Sequence, residues 1–206
     1  GWTYEHVKAA VNGSVSAFDA LLRFVQYAVE GRLPHIPRLM ASRLVPLRKP
    51  NGGIRPIAVG EVLLRLASLC ASTAAAEAGP ALRPLQLGVG VPGGAQCVGQ
   101  ALQAAILAQP EHVVLQLDWA NAFNCLSRQS MLEAVAERAP GLLPFAEWSY
   151  GTPTALWVCD APPDTPPVMS QSGVRQGDPC GPLLFALTLQ GALEEVNDLY
   201  PDVVVL

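Results

Sequence analysis

Two short apolar runs, Ser42–Leu47 and Ile54–Val59, flank the turn sequence Pro50-Asn51-Gly52-Gly53. Asn and Gly tolerate the left-handed backbone that a tight reversal needs, so the runs are expected to pair as a hairpin. That hairpin constrains the fold, because most of the remaining chain has helical periodicity. Helices are expected from a Ser16 cap with Asp19 as its partner, ending at Gly31 and Pro34, and over Glu61–Ala78, stopped by Gly79-Pro80. Further helices are expected over Gly94–Ala108, from a Ser127 cap to Ala139, and over Cys180–Asn197. His112–Leu117 and Thr154–Cys159 read as strands, and Val203–Leu206 as the start of another. Leu87–Gly94 is Gly-rich and Ala161–Pro167 is Pro-rich, so both read as irregular connectors. Strands and helices do not alternate regularly, and the class is α+β.

The 206 residues are half hydrophobic, which is ample for a packed core. The greasiest stretches, Leu183–Leu189 and Val203–Leu206, fall well short of the roughly 20 apolar residues of a membrane span. Gly1–Ala10 lacks a secretory apolar run, so an intracellular protein without membrane contact is expected. The five cysteines contain no C-x-x-C pair and suggest neither a zinc site nor a disulfide framework. The net charge is −4. Its distribution says more. Between Arg32 and Arg65, seven basic residues face the single acid Glu61; from Glu111 onward, twelve acids face Arg128, Arg138 and Arg175. A basic segment suits phosphates. An acidic one suits divalent cations, or is ordinary surface charge.

Three segments concentrate chemistry. The hairpin Leu44–Ala58 carries Lys49 and Arg55 beside its Gly-rich tip. Leu115–Ser127 ends an apolar run at Asp118, and nothing in the following Trp-Ala-Asn-Ala-Phe requires a carboxylate there. Ser172–Phe185 contains Arg175-Gln176-Gly177-Asp178-Pro179. Taken one by one, each has a plain reading: a solvated basic turn, a turn aspartate with Phe123 in the core, and a helix cap at Asp178.

Taken in order, the three segments resemble the successive motifs of reverse transcriptases, most closely those of non-LTR retrotransposons. Gly1-Trp2-Thr3 and Gly88-Val-Gly-Val-Pro-Gly-Gly94 fit the same resemblance, which covers essentially the whole chain. It implies a right-hand polymerase fold, with fingers over 1–110, a basic fingertip at 42–59 and a partial palm over 111–206. It implies RNA-directed DNA synthesis with an RNA template, a DNA primer and deoxynucleoside triphosphates. Two magnesium ions would serve, about 3.5–4 Å apart, with manganese able to replace them. By the resemblance, Asp118 and the carbonyl of Trp119 bind metal, and Asp118 is the catalytic carboxylate. The N–H groups of Asn121 and Ala122 face the triphosphate, and Phe123 is a steric gate against a 2′-hydroxyl. Lys49 and Arg55 clamp phosphates, Gln176 touches the nucleotide, and Gly177 admits the template–primer backbone. Arg175 would meet template phosphate or lie on the surface, and Asp178 is not assigned to metal. The family's adjacent aspartates have no counterpart here, since Glu194-Glu195 lies in an expected helix. The expectation is that they follow Val203–Leu206, with the thumb beyond, and that these residues alone do not polymerise. A nicked genomic primer would put the site of action in the nucleus. Two alternatives are a non-catalytic, domesticated RNA-binding scaffold and an RNA-templated RNA polymerase; Phe123 counts against the latter.

Overall fold

The computed structural model describes residues 1–204, apart from the side chains of 76 and 77. Within them the chain is mixed α+β, as expected. The hairpin forms: β1 (Ser42–Arg48) and β2 (Ile54–Gly60) pair antiparallel from Ser42↔Gly60 to Arg48↔Ile54. At its tip, Lys49 N–H donates to the Gly53 carbonyl (2.7 Å) and Gly53 N–H to Asn51 Oδ1 (3.2 Å).

Two more strands complete the sheet in the order β2-β1-β3-β4. β3 (Thr154–Val158) runs parallel to β1, with Ser42 opposite Leu156 and Arg43 opposite Trp157. β4 (Val168–Ser170) pairs antiparallel with β3 and follows the Pro-rich connector. Sheet and core therefore draw on both sides of the expected boundary at 110/111.

The first helix, α1 (Tyr4–Gly13), has no counterpart in the periodicity read above. Thr3 N–H donates to His6 Nδ1 (3.0 Å) at its start. α2 (Val15–Val29) is capped by Ser14, whose Oγ accepts from Ala17 N–H at 3.2 Å, and not by Ser16. An N-cap residue must leave helical φ/ψ. Ser14 does so, at φ −154°, while Ser16 already lies inside the helix. At the far end, Arg32 N–H bonds the Tyr27 carbonyl and Gly31 N–H the Ala28 carbonyl, a Schellman closure.

After a short turn of helix, α3 (Pro37–Met40), and the hairpin comes α4 (Val62–Ala74), which tightens into a 3-10 stretch over Ala75–Leu82. α5 (Gly94–Ala108) has the expected bounds. A single turn, α6 (Ala122–Cys125), precedes α7 (Arg128–Arg138), capped by Ser127 Oγ on Ser130 N–H (3.2 Å) as expected. α8 (Leu143–Tyr150) and α9 (Gly181–Leu199) follow. α7 packs on α9 and α8, and α2 on α4. Their shared core is centred on Met131, Val135, Phe145, Tyr150, Leu184 and Leu187, each at most 1% exposed.

One expected strand is not formed. Residues 112–119 adopt no regular structure, and Val113, Leu115 and Leu117 are exposed. A strand needs a hydrogen-bonded neighbour, and among the described residues none lies beside this run. Val203 and Val204 are likewise outside any strand, and the remainder of that expected strand, 205–206, lies outside the described residues. No described helix is long and apolar enough to cross a membrane.

The α7–α9 contact includes a two-bond ion pair from Arg138 to Glu194, at 2.9 and 2.6 Å. The Arg138 hydrogen bond, with help from Gln190, holds the Glu194 carboxyl below its usual range. A lowered carboxyl pKa stabilises the fold above the unfolded value and loses that effect as pH falls through the folded value. Glu194→Gln is expected to cost about 0.5–1 kcal/mol at pH 7, the range for a well-formed surface pair. The cost should vanish below the carboxylate range in urea unfolding followed from pH 7 to 3.

Candidate functional site

The three chemistry-bearing segments meet at one loop, residues 172–178. Ser172 Oγ donates to the Asn124 carbonyl (3.1 Å), Gly173 N–H to that of Leu126 (2.7 Å), and Val174 N–H to that of Phe123 (2.8 Å). On its other side, Ala58 N–H of β2 donates to the Gln176 carbonyl at 2.8 Å. The loop thus sews the Asn121–Leu126 turn to the hairpin.

Glycine is required at two of its positions. Gly173 has φ +65°, and a Cβ there would sit 2.3 Å from the Phe123 carbonyl oxygen. Gly177 has φ +125°, and its Cβ would lie 2.7 Å from the Ala58 carbonyl oxygen. The surface that Gly177 lets approach is therefore the backbone of β2. Between loop and sheet lies a cleft of about 220 Å³, lined by Pro56, Ala58, Asn124, Ser172, Val174 and Gln176 among others.

Phe123 sits on α6, behind Asn121 in a left-handed conformation at φ 54°. Its half-buried ring stacks on Phe185 of α9, with centroids 4.9 Å apart and planes 7° from parallel. Asp118 and Trp119 precede this turn in the exposed segment. Among the described residues no cluster of three or more His, Cys, Asp or Glu is placed to hold a metal. Lys49 and Arg55 are exposed on the hairpin, and no hydrogen bond or ion pair joins them to the Phe123–Gln176 cluster among the described residues.

Behind the loop lies a buried polar network that the sequence did not announce. Arg175 is 5% exposed, so it is neither a surface arginine nor free to meet a template phosphate. Its guanidinium donates to the Ser149 carbonyl (3.2 Å) and Ser149 Oγ, and lies 3.7 Å from Asp178 Oδ2. Two arginines lie over Tyr150, with Arg175 4.3 Å and Arg128 5.2 Å from its ring centre. Arg128 in turn donates to the carbonyls of Gly173 (3.1 Å) and Ser170 (2.9 Å). Burial, and then the nearby Arg175, push the Arg128 pKa down to about 10.

Asp178 closes the network. It accepts from Ser68 Oγ, from Tyr150 Oη and from Cys180 N–H (3.1 Å). The expected cap role is thus displaced: α9 starts at Gly181 with Cys180 at the cap position, and Asp178 anchors the approach to it. Burial, and then Asp178, raise the Tyr150 hydroxyl and the Cys180 thiol far above their usual ranges. Tyr150 is therefore a neutral donor, and Cys180 an unreactive thiol.

No family model matches the chain. It is 31% identical over 173 residues to the Retrotransposable element SLACS 132 kDa protein of Trypanosoma brucei gambiense. The match takes in 80% of this chain and 14% of that protein, so the chain spans a small part of its relative's length.

The network sets a prediction about the loop. Tyr150→Phe removes the donor to Asp178 and the acceptor of Arg175 N–H (3.2 Å) while keeping the ring. It is expected to lower unfolding free energy by about 1–3 kcal/mol, the cost of leaving buried polar groups unpaired. A urea midpoint equal to that of the parent chain would show that Tyr150 does not hold the loop.

Proposed function

We propose that this chain forms the fingers and part of the palm of a right-hand, RNA-directed DNA polymerase encoded by a retrotransposon. The observation that carries the reading is the sewn junction, in which Phe123 and Val174, and Gln176 and Ala58, are joined through backbone hydrogen bonds. Three segments that resemble successive polymerase motifs are thereby held against one another. Similarity to part of a retrotransposable element protein supports the same reading.

In it, the primer 3′-hydroxyl attacks the α-phosphate of a deoxynucleoside triphosphate and pyrophosphate leaves. The chain's own residues bind and orient. Arg55 offers a planar guanidinium to phosphate oxygens, a geometry that two parallel hydrogen bonds exploit. Lys49 adds a second cation at the same tip. The N–H groups of Asn121 and Ala122 face the triphosphate, and Gln176 lines the cleft for the nucleotide. Phe123 excludes a 2′-hydroxyl by bulk; its flat stack on Phe185 supports this role, because a ring packed face to face has little freedom to swing aside. A nicked genomic end as primer would place the work on chromosomal DNA.

The reading gives Asp118 and the Trp119 carbonyl to magnesium or manganese. A two-ion site needs bridging carboxylates, and among the described residues no group of three or more His, Cys, Asp or Glu is placed to hold a metal, at Asp118 or elsewhere. By themselves these residues do not fit such a site.

The test is primer extension on an RNA template by a protein that carries these residues together with the paired aspartates expected after them. Asp118→Asn should lower the rate about a hundredfold or more, as loss of one charge-stabilising group does. Arg55→Ala should raise the KM for deoxynucleotides about ten- to a hundredfold, the worth of a charge-assisted hydrogen bond. Phe123→Val should narrow the preference for deoxy- over ribonucleotides about tenfold or more. Undiminished synthesis by Asp118→Asn would overturn the assignment. RNA binding without synthesis would instead favour the scaffold reading.

A further inference from the structure

A concavity larger than the cleft beside the loop lies on the opposite face of the sheet. Successive residues of a strand point to opposite faces. Leu44 and Ala58, partners across the hairpin, line the cleft beside Gln176. Their neighbours Arg43 and Val59, also partners, line a second groove of about 680 Å³.

That groove is basic and aromatic. Arg43 enters from β1, Arg38 from α3 and Arg65 from the first turn of α4. Trp157, opposite Arg43 on β3, and Trp2, just before α1, complete it. Both tryptophans leave about half their surface in solvent, at 50% and 46%. Among the described residues none of the three arginines makes a side-chain hydrogen bond or an ion pair, and Glu61 is the one carboxylate of the lining. Three guanidinium groups around one concavity repel each other unless an anion joins them.

We propose that this groove binds a single-stranded nucleic acid segment, separately from the nucleotide cleft on the other face. Unpaired arginines beside exposed flat rings are what a single strand uses: the cations follow the phosphates, and the bases stack on the aromatics. A duplex keeps its base faces to itself, and a run of acidic side chains offers carboxylates without a ring beside each charge for the tryptophans to stack on. The proposal does not depend on polymerase activity, since it concerns different residues and a binding reaction alone.

The probe is a fluorescein-labelled twelve-residue oligouridylate, titrated into the 206-residue chain at several salt concentrations and read by anisotropy. Arg43→Gln and Arg65→Gln are each expected to reduce the log–log salt slope by about 0.7, the share of one phosphate contact on a single strand. Trp157→Ala should weaken binding about five- to a hundredfold, the worth of one stacked base, and Trp157→Phe should restore most of it. Inorganic polyphosphate of matched charge should compete poorly, because it cannot stack. Gln129→Ala, exposed on α7 and lining neither the groove nor the nucleotide cleft, should leave the affinity unchanged. The proposal is overturned if the parent chain does not bind the probe, or if the arginine and Trp157→Phe variants, checked for folding by circular dichroism, match or lose binding without this pattern. It is also overturned if polyphosphate displaces the probe as well as RNA does.

Discussion

A guanidinium group taken out of water must be repaid by partners on every side, and Arg175 is the clearest case in this molecule. Its charge meets Asp178, its N–H groups meet Ser149, and its flat face covers Tyr150. The partners come from separate parts of the fold: α8 supplies Ser149 and Tyr150, and α4 supplies Ser68 to the same carboxylate. An apolar contact could slide by an ångström at little cost. A buried ion pair with its hydrogen bonds cannot, since any group left unpaired there costs several kcal/mol. The network therefore holds the second half of the 172–178 loop in one register, and the loop's backbone then carries that register to β2 and to the Phe123 turn.

The sheet separates two kinds of surface by the simplest rule available to a strand. Alternation sends Ala58 to the loop and Val59 away from it. The basic stretch Arg32–Arg65 is divided by this geometry into three groups. Arg48, Lys49 and Arg55 ride on or beside the hairpin tip, Arg38, Arg43 and Arg65 surround the far groove, and Arg32 pairs with Glu30. A run of charge that looks uniform along the chain has thus become separate features with separate potential ligands.

Much of this was legible because it is local. The hairpin, α5, α7 and β3 are written in turn residues, caps and periodicity within a few positions, and they formed within a residue or two of the expected bounds. The cap of α2 was misplaced because Ser14 and Ser16 are equally good acceptors, and only backbone dihedrals distinguish them. Arg175 was misread for a different reason. Next to a Gln-Gly pair in a loop, an arginine has every local mark of exposure. Its burial is decided by Tyr150, 25 residues away, and by Asp178, which Ser68 holds from 110 residues away. Gly177 was legible as a close approach, although what approaches it here is β2.

The segment before Phe123 shows where pattern reading stops. A helix satisfies its backbone from within, so helical periodicity comes close to being a structure. A strand borrows every hydrogen bond from a neighbour, so a β-branched run states a capacity that only a partner can realise. His112–Leu117 has the capacity, and no described strand lies beside it, so Val113 and Leu115 meet water. The same dependence governs Asp118. A carboxylate at the end of a paired strand is held in place, whereas one at the end of an unpaired run is not. Whatever pairs with residues 112–117 would therefore also decide where Asp118 points, and sheet formation and the chemistry proposed for that residue are one problem.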